Sequence, residues 1–208
     1  MSRRRRIACA LGMMLCAAPA GAQVLTTADT LGKGKTGLLF SDNVLVPGDE
    51  GVPNLNIAYA MIAIGATNRL DVYLSAGETT TKRDPTARRE TQAWIGGGGN
   101  VHLFKAGTVS VSLFDVATVP LQRRDEACDV LLNSALVASV PIGPKFSAYS
   151  GINALIPIGH RERGIFTPPQ TEVNVPVGGT YAVGVWGIWA EVDIGHLRAV
   201  GVGVTRVF

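Results

Sequence analysis

Four carboxylates interrupt otherwise apolar, alternating stretches of the chain: Asp71, Glu172, Glu191 and Asp193. The same alternation places further polar side chains on their side of the chain, namely Arg69, Asn56, Asn100, His102, Asn133, Lys145, Tyr149 and Asn153. Such a set predicts one of two kinds of interior. It lines a narrow polar passage whose charges select a solute, or it forms a packed network in which each acid pairs with Arg or Lys.

Three other patterns look like catalytic or cofactor motifs, but each lacks a required part. The stretch Gly32-Lys33-Gly34-Lys35-Thr36 is similar to a phosphate-binding loop, yet Asp29 stands where the first glycine is needed and no helix pattern follows. The three histidines, which are His102, His160 and His196, show no metal-ligand spacing. No Gly-x-Ser-x-Gly motif is present. The sequence therefore predicts no catalytic residue, no cofactor and no metal site.

A run of four glycines at residues 96–99 lies inside a strand pattern that continues through residues 100–104. A glycine-rich cofactor loop would instead lead into a helix, whose N-terminus supplies the anion site. We interpret the run as a place where the strand bends or where inward bulk is not tolerated.

Strands must position these residues, because apolar residues recur at every second position between turns rich in Gly, Pro, Asn and Asp. In residues 145–158, for example, Ile152 and Ala154 face one way while Gly151 and Asn153 face the other. We predict ten strands, at residues 36–46, 54–65, 69–78, 90–104, 107–119, 129–141, 145–158, 171–182, 187–194 and 198–208. Residues 125–139 also fit a helical stripe, which would lower the strand count.

The connections between these strands alternate between short turns and longer loops, except for a short link near residues 195–197. This pattern predicts an all-β fold, a single antiparallel transmembrane β-barrel of about ten strands, with eight to twelve allowed. A soluble β-sandwich or lipocalin-like barrel has the same alternation with its apolar face turned inward.

Residues 1–22 have the three parts of a secretory signal peptide: four arginines at residues 3–6, an apolar core, and the cleavage site Ala20-Gly21-Ala22. We expect the mature chain to begin at Gln23 and to form one domain over residues 23–208. It keeps one cysteine, Cys128, which cannot form an internal disulfide.

Composition and charge exclude two function classes. Apolar residues make up 47% of the 208-residue chain and charged residues only 17%, which argues against intrinsic disorder. Four of the 19 Lys and Arg residues lie in the leader, so basic residues do not outnumber the 16 Asp and Glu residues of the mature chain. No basic surface is predicted for nucleic acid.

The last strand carries a recognisable pattern, with Val200, Val202 and Val204 alternating before a terminal Phe208. It resembles the closing strand of bacterial outer-membrane β-barrel proteins, although Arg206 stands where these usually have an apolar or aromatic residue. The resemblance implies that these four residues are an assembly signal read by the barrel-assembly machinery. Residues 27–35 also look like the start of small, uncharacterised, transporter-like barrels. The implied location is the bacterial outer membrane.

We therefore expect a small pore or transport-associated barrel with a narrow polar lumen, without enzymatic activity. Its expected partners are outer-membrane lipid and lipopolysaccharide, whose phosphates would meet the basic residues of the long loops. Two alternatives stay open. A membrane-embedded lipid-modifying enzyme would need a Ser or an acid beside His102, and a soluble periplasmic ligand-binding β-barrel would enclose its apolar faces.

Overall fold

The alternating stretches form ten antiparallel strands in the computed structural model, which describes residues 27–47, 54–81, 90–121, 130–159 and 171–208. The strands are β1 (Thr36–Pro47), β2 (Leu55–Gly65), β3 (Leu70–Thr81), β4 (Glu90–Ala106), β5 (Val109–Pro120), β6 (Val130–Pro141), β7 (Phe146–Ile158), β8 (Glu172–Val183), β9 (Trp186–Gly195) and β10 (Leu197–Val207). The predicted all-β fold is confirmed. The helical alternative near residue 130 is not adopted, because that stretch is β6.

Two expectations fall on other parts of the chain. The predicted signal peptide, residues 1–22, and the single mature cysteine, Cys128, lie outside the described residues. Among the described residues, no helix has the length and apolar character needed to cross a membrane.

Each strand pairs with its neighbours along the chain, and β1 also pairs with β10, so the sheet closes into a barrel. The closing pair runs from Gly37 opposite Val207 to Pro47 opposite Leu197. Closure pairs every strand on both sides and leaves no sheet edge.

Side chains alternate between the outer and inner faces of the barrel wall. Ile152 is 59% exposed and Val202 is 53% exposed, whereas Asn153 is buried. Opposed residues of an antiparallel pair share a face, so this assignment extends from strand to strand. The outer face is dominated by large exposed apolar side chains, among them Phe40, Ile62, Val72, Leu74, Ile95, Val119, Leu136, Ile152, Val175, Val192 and Val202.

The two ends of the barrel differ. At one end, here called the short-turn end, the strands are joined by residues 66–69, 107–108, 142–145 and 184–185. Three glycines with positive φ make these turns possible: Gly107 at 61°, Gly143 at 106° and Gly184 at 62°. The other end, the long-loop end, carries the longer connections and the single-residue link at His196 between β9 and β10.

Aromatic side chains gather at the short-turn end of the outer wall. Phe104, Phe146, Tyr181 and Phe208 are exposed there, and Trp186 is half-buried. Membrane barrels place such girdles where the wall meets the lipid headgroups.

The closing strand β10 accommodates an arginine in this girdle. Val200, Val202 and Val204 are exposed on the outer face, but Arg206, the next residue on that face, is only 3% exposed. Its guanidinium carbon lies 5.2 Å from the centroid of the Trp186 ring and 4.7 Å from that of Phe208. Aromatic faces attract cations, so the two rings stabilise an arginine where an apolar residue was expected.

Candidate functional site

The candidate site is the lumen, the space enclosed by the inner face of the barrel. Alternation from the exposed outer residues assigns seven of the predicted lumen residues to this inner face: Asp71, Asn100, His102, Asn153, Glu172, Glu191 and Asp193. Asn133 and Tyr149 are also inward-facing by the same alternation. These side chains come from six strands, so only the closed sheet brings them together.

Three other residues predicted for the lumen lie elsewhere. Arg69 and Lys145 are exposed in the short turns, because β3 begins one residue later, at Leu70, and β7 begins at Phe146. Asn56 is on the outer face, where its side-chain N–H donates to Asp42 Oδ1 at 2.7 Å.

In the part of the chain that the structure describes, the inner wall bears acids but no Lys or Arg side chain. Among the described residues, six of these basic side chains are exposed, and they are Lys33, Lys35, Arg69, Lys105, Lys145 and Arg198. Arg206 is buried, but on the outer wall. The expectation that lumen acids pair with Arg or Lys is therefore wrong for the described part of the chain. Glu172 instead pairs with His196, whose Nδ1 lies 3.4 Å from Glu172 Oε2.

Glu191 and Asp193, named here the acidic pair, alternate along β9 and project from it towards the lumen. The residues opposite Glu191 on the two neighbouring strands are glycines, Gly178 and Gly201, and the Tyr149 ring covers the first while Asn43 and Trp189 cover the second. The Tyr149 ring lies over Gly178, directly beside Glu191. The pair thus combines two carboxylates with a phenol on one side of the lumen.

Aromatic rings fill much of the inner wall and explain its glycines. A Cβ added at Gly77 would lie 2.6 Å from the Trp94 ring, and one at Gly203 would contact both Trp189 and the carbonyl oxygen of Phe40. The rings also meet one another. The Tyr59 and Trp94 centroids are 5.9 Å apart, and those of Tyr73 and Phe114 are 5.4 Å apart. The lumen is consequently narrow, with bulky rings lying over inward glycines.

Residues 27–34, named here the lumen segment, precede β1. Residues 27–31 are buried or half-buried inside the barrel, and Lys33 and Gly34 are exposed at its end. The backbone N–H of Leu31 donates to both carboxylate oxygens of Asp71, at 2.9 and 3.2 Å. The N–H of Ala28 donates to Ser139 Oγ at 3.2 Å, and Ser110 Oγ donates to Asp29 Oδ1 at 2.7 Å.

An apolar contact fixes the same segment. Leu31 is 2% exposed and belongs to a buried cluster with inner-wall residues of β1, β2, β3, β5, β9 and β10, namely Leu39, Met61, Ala63, Tyr73, Val116, Trp189 and Val207. The cluster draws on six strands, so its members lie on several sides of the lumen.

Sequence reasoning does not predict this insertion, because residues 27–34 have no periodicity. Two features are compatible with it in retrospect. Leu31 is an isolated apolar residue among polar and small ones, and Gly32 and Gly34 allow the chain to turn back, with φ of 86° and 81°.

The His102 side chain contacts a backbone carbonyl group and not a nucleophilic side chain. Its Nδ1 lies 3.3 Å from the carbonyl oxygen of Ala28. The nearby Ser110 donates to Asp29. Within the described residues, no group of three or more His, Cys, Asp or Glu side chains could hold a metal ion. The lumen as described offers carboxylates, amides, hydroxyls and ring faces, which suit the binding or passage of small polar or cationic solutes.

Comparisons with known proteins identify the fold. No protein-family model matches the chain, and the search of curated proteins found no match. Among solved structures, the chain is similar to an outer membrane channel from Pseudomonas putida F1, with a TM-score of 0.51 and 11% sequence identity. The similarity covers 89% of this chain and 100% of that one. At this identity the comparison shows a shared β-barrel fold.

Proposed function

We propose that the protein is an outer-membrane barrel whose narrow lumen passes small polar solutes and favours cations over anions. The observation that carries this proposal is the charge of the inner wall. In the described residues it bears Asp71, Glu172, Glu191 and Asp193, while the Lys and Arg side chains are exposed or on the outer wall.

The membrane location is supported by the outer face. Exposed apolar side chains cover it, and an aromatic girdle lies at the short-turn end, as in barrels that span a bilayer. The structural neighbour is an outer membrane channel. A soluble ligand-binding barrel would turn its apolar residues inward and its polar residues to water.

The preference for cations follows from electrostatics in a narrow, protein-lined passage. Water is scarce there, so a fixed carboxylate acts on a passing ion more strongly than it would in bulk solvent. Rings of Asp and Glu select cations in other channels for this reason. The acidic pair is the strongest candidate for this role, because it places two carboxylates next to each other on the inner face of β9, whereas Asp71 accepts from the Leu31 N–H and Glu172 pairs with His196.

The test is the reversal potential of the purified protein in planar bilayers under a KCl gradient. We expect potassium to be preferred, and the double variant Glu191→Gln with Asp193→Asn to lose most of that preference. Glu78→Gln is the matched control, since Glu78 is an exposed outer-wall carboxylate, and it should leave the reversal potential unchanged.

Both the wild-type chain and a variant lacking residues 27–32 are measured, because the lumen segment occupies one end of the passage. A preference for chloride, or a reversal potential that is the same in the double variant, would contradict the proposal.

A further inference from the structure

Side chains from several strands of the barrel wall hold the lumen segment in place. Side chains of four successive strands contact it: Asp71 of β3, His102 of β4, Ser110 of β5 and Ser139 of β6. The turn before β3 adds Asn68, which accepts from Thr30 Oγ1 through its carbonyl and from the Lys33 N–H through Oδ1.

Most of these contacts are made to the main chain of the segment. Asp71 and Ser139 accept from backbone N–H groups, and His102 lies beside a backbone carbonyl. The side-chain contacts of the segment include the bond of Asp29 with Ser110, the bond of Thr30 with the Asn68 carbonyl, and the place of Leu31 in a buried apolar cluster. A wall that satisfies backbone groups and provides one apolar pocket is the usual construction of a site for an extended peptide.

The segment joins the barrel wall at the short-turn end. It is joined directly to the start of β1, where the Gly34 N–H donates to the Gly65 carbonyl at 2.8 Å. Gly32 and Gly34 have the positive φ values that make this reversal possible. Tethering keeps a weakly bound segment at high effective concentration near its site.

We propose that the short-turn end of the lumen is a peptide-binding site occupied by the chain's own residues 27–32, which act as a tethered plug and close the channel there. This proposal rests on the proposed channel function. Asp71, 1% exposed and bonded twice to the Leu31 N–H, is the main anchor of the plug. Opening requires the plug to leave this site.

The first experiment compares single-channel conductance of the wild type, of a variant lacking residues 27–32, and of Asp71→Asn. We expect the deletion to raise the conductance or the open fraction several-fold. Asp71→Asn should raise the conductance or the open fraction by less, because the Asn side chain keeps one acceptor oxygen for the Leu31 N–H. Glu78→Gln, on the outer wall, is the matched control and should behave as wild type.

Rescue by a free peptide tests the site itself. A synthetic peptide of residues 27–33, added on the short-turn side, should block the deletion variant. The same peptide with Leu31→Asp should block far less, because an acid cannot occupy the apolar pocket. Equal block by both peptides would overturn the assignment of that pocket.

A second readout does not need conduction. Ser112→Cys, in a Cys128→Ser background, places a thiol at a buried inner-wall position of β5. A charged thiol reagent should label it slowly in the full chain and several-fold faster in the deletion variant. Heat-modifiable gel mobility confirms that both are folded, and if the deletion variant does not fold, Asp71→Asn takes its place.

The outcomes separate the two proposals. Faster labelling without conduction in either protein supports the plug and contradicts the channel. Equal conductance, together with equal labelling, overturns the plug and leaves the channel proposal standing.

Discussion

Glycines on the inner face are the residues whose side-chain size is most tightly limited by the barrel. Gly98 is an example, because a Cβ there would contact the backbone carbonyl of Asp115 on the neighbouring strand. Backbone cannot move aside as a flexible side chain can. The sequence interpretation of residues 96–99 as intolerant of inward bulk agrees with this geometry.

We therefore expect Gly98→Ala to destabilise the barrel by about 1–3 kcal/mol, the usual effect of forcing extra volume into a packed site. The measurement is denaturant unfolding in lipid vesicles, followed by tryptophan fluorescence. Gly97→Ala is the control from the same run, since its added Cβ would lie at an ordinary 3.5 Å from the Tyr73 carbonyl oxygen. Equal stability of the two variants would contradict this account.

Residue alternation within one strand was enough to predict which side chains share a face, and Ile152 and Asn153 of β7 illustrate this. The prediction fails at Asn56, which lies on the outer face of β2 opposite Val44, and it fails where it depends on a strand boundary. The predicted strands begin at residues 69 and 145, but β3 begins at Leu70 and β7 at Phe146, so Arg69 and Lys145 lie in turns and not in the lumen. The lumen segment could not be predicted, because its contacts join residues far apart in sequence, as in the bond between Ala28 and Ser139.

At the scale of one strand, β7 offers a test of which face meets lipid. A spin label at Ile152→Cys, with Cys128 replaced by Ser, should be reached by oxygen and not by a polar nickel complex. A label at Asn153→Cys should show the opposite preference or be shielded from both. A label at residue 152 that is reached mainly by the polar reagent would mean that the apolar outer face does not lie in a membrane.

A second measurement on the same strand uses charge. Ile152→Arg should cost roughly 2–4 kcal/mol if the residue lies near the bilayer midplane and should reduce assembly. Asn153→Arg should be milder, because inner-wall carboxylates can pair with the added cation.

For the whole molecule, completion of the barrel depends on its last residues. The Phe208 N–H donates to the Thr36 carbonyl at 2.8 Å, and the Phe208 ring covers Arg206. The predicted assembly signal of Val200, Val202, Val204 and Phe208 thus coincides with the strand that closes the ring. Its recognition by assembly machinery stays a prediction.

Deleting Phe208 should cause the protein to accumulate in the periplasm and be degraded, with little change in synthesis. Fractionation with heat-modifiable gel mobility measures location and folding together. Phe208→Tyr, which keeps a ring over Arg206, is the control and should reach the membrane normally. Normal membrane levels after the deletion would contradict the outer-membrane assignment.

The pairing of β1 with β10 has a consequence for the order of events during biogenesis. Every other pair joins consecutive strands, whereas the Ser41 hydroxyl of β1 meets the Val202 carbonyl of β10 across 161 residues. Until β10 pairs with β1, the sheet has two edge strands with unpaired backbone groups. Such edges readily pair with other chains. The incomplete protein is therefore prone to aggregation for almost the whole of its synthesis and export. We expect its delivery to the membrane to require chaperones that cover these edges until the barrel closes.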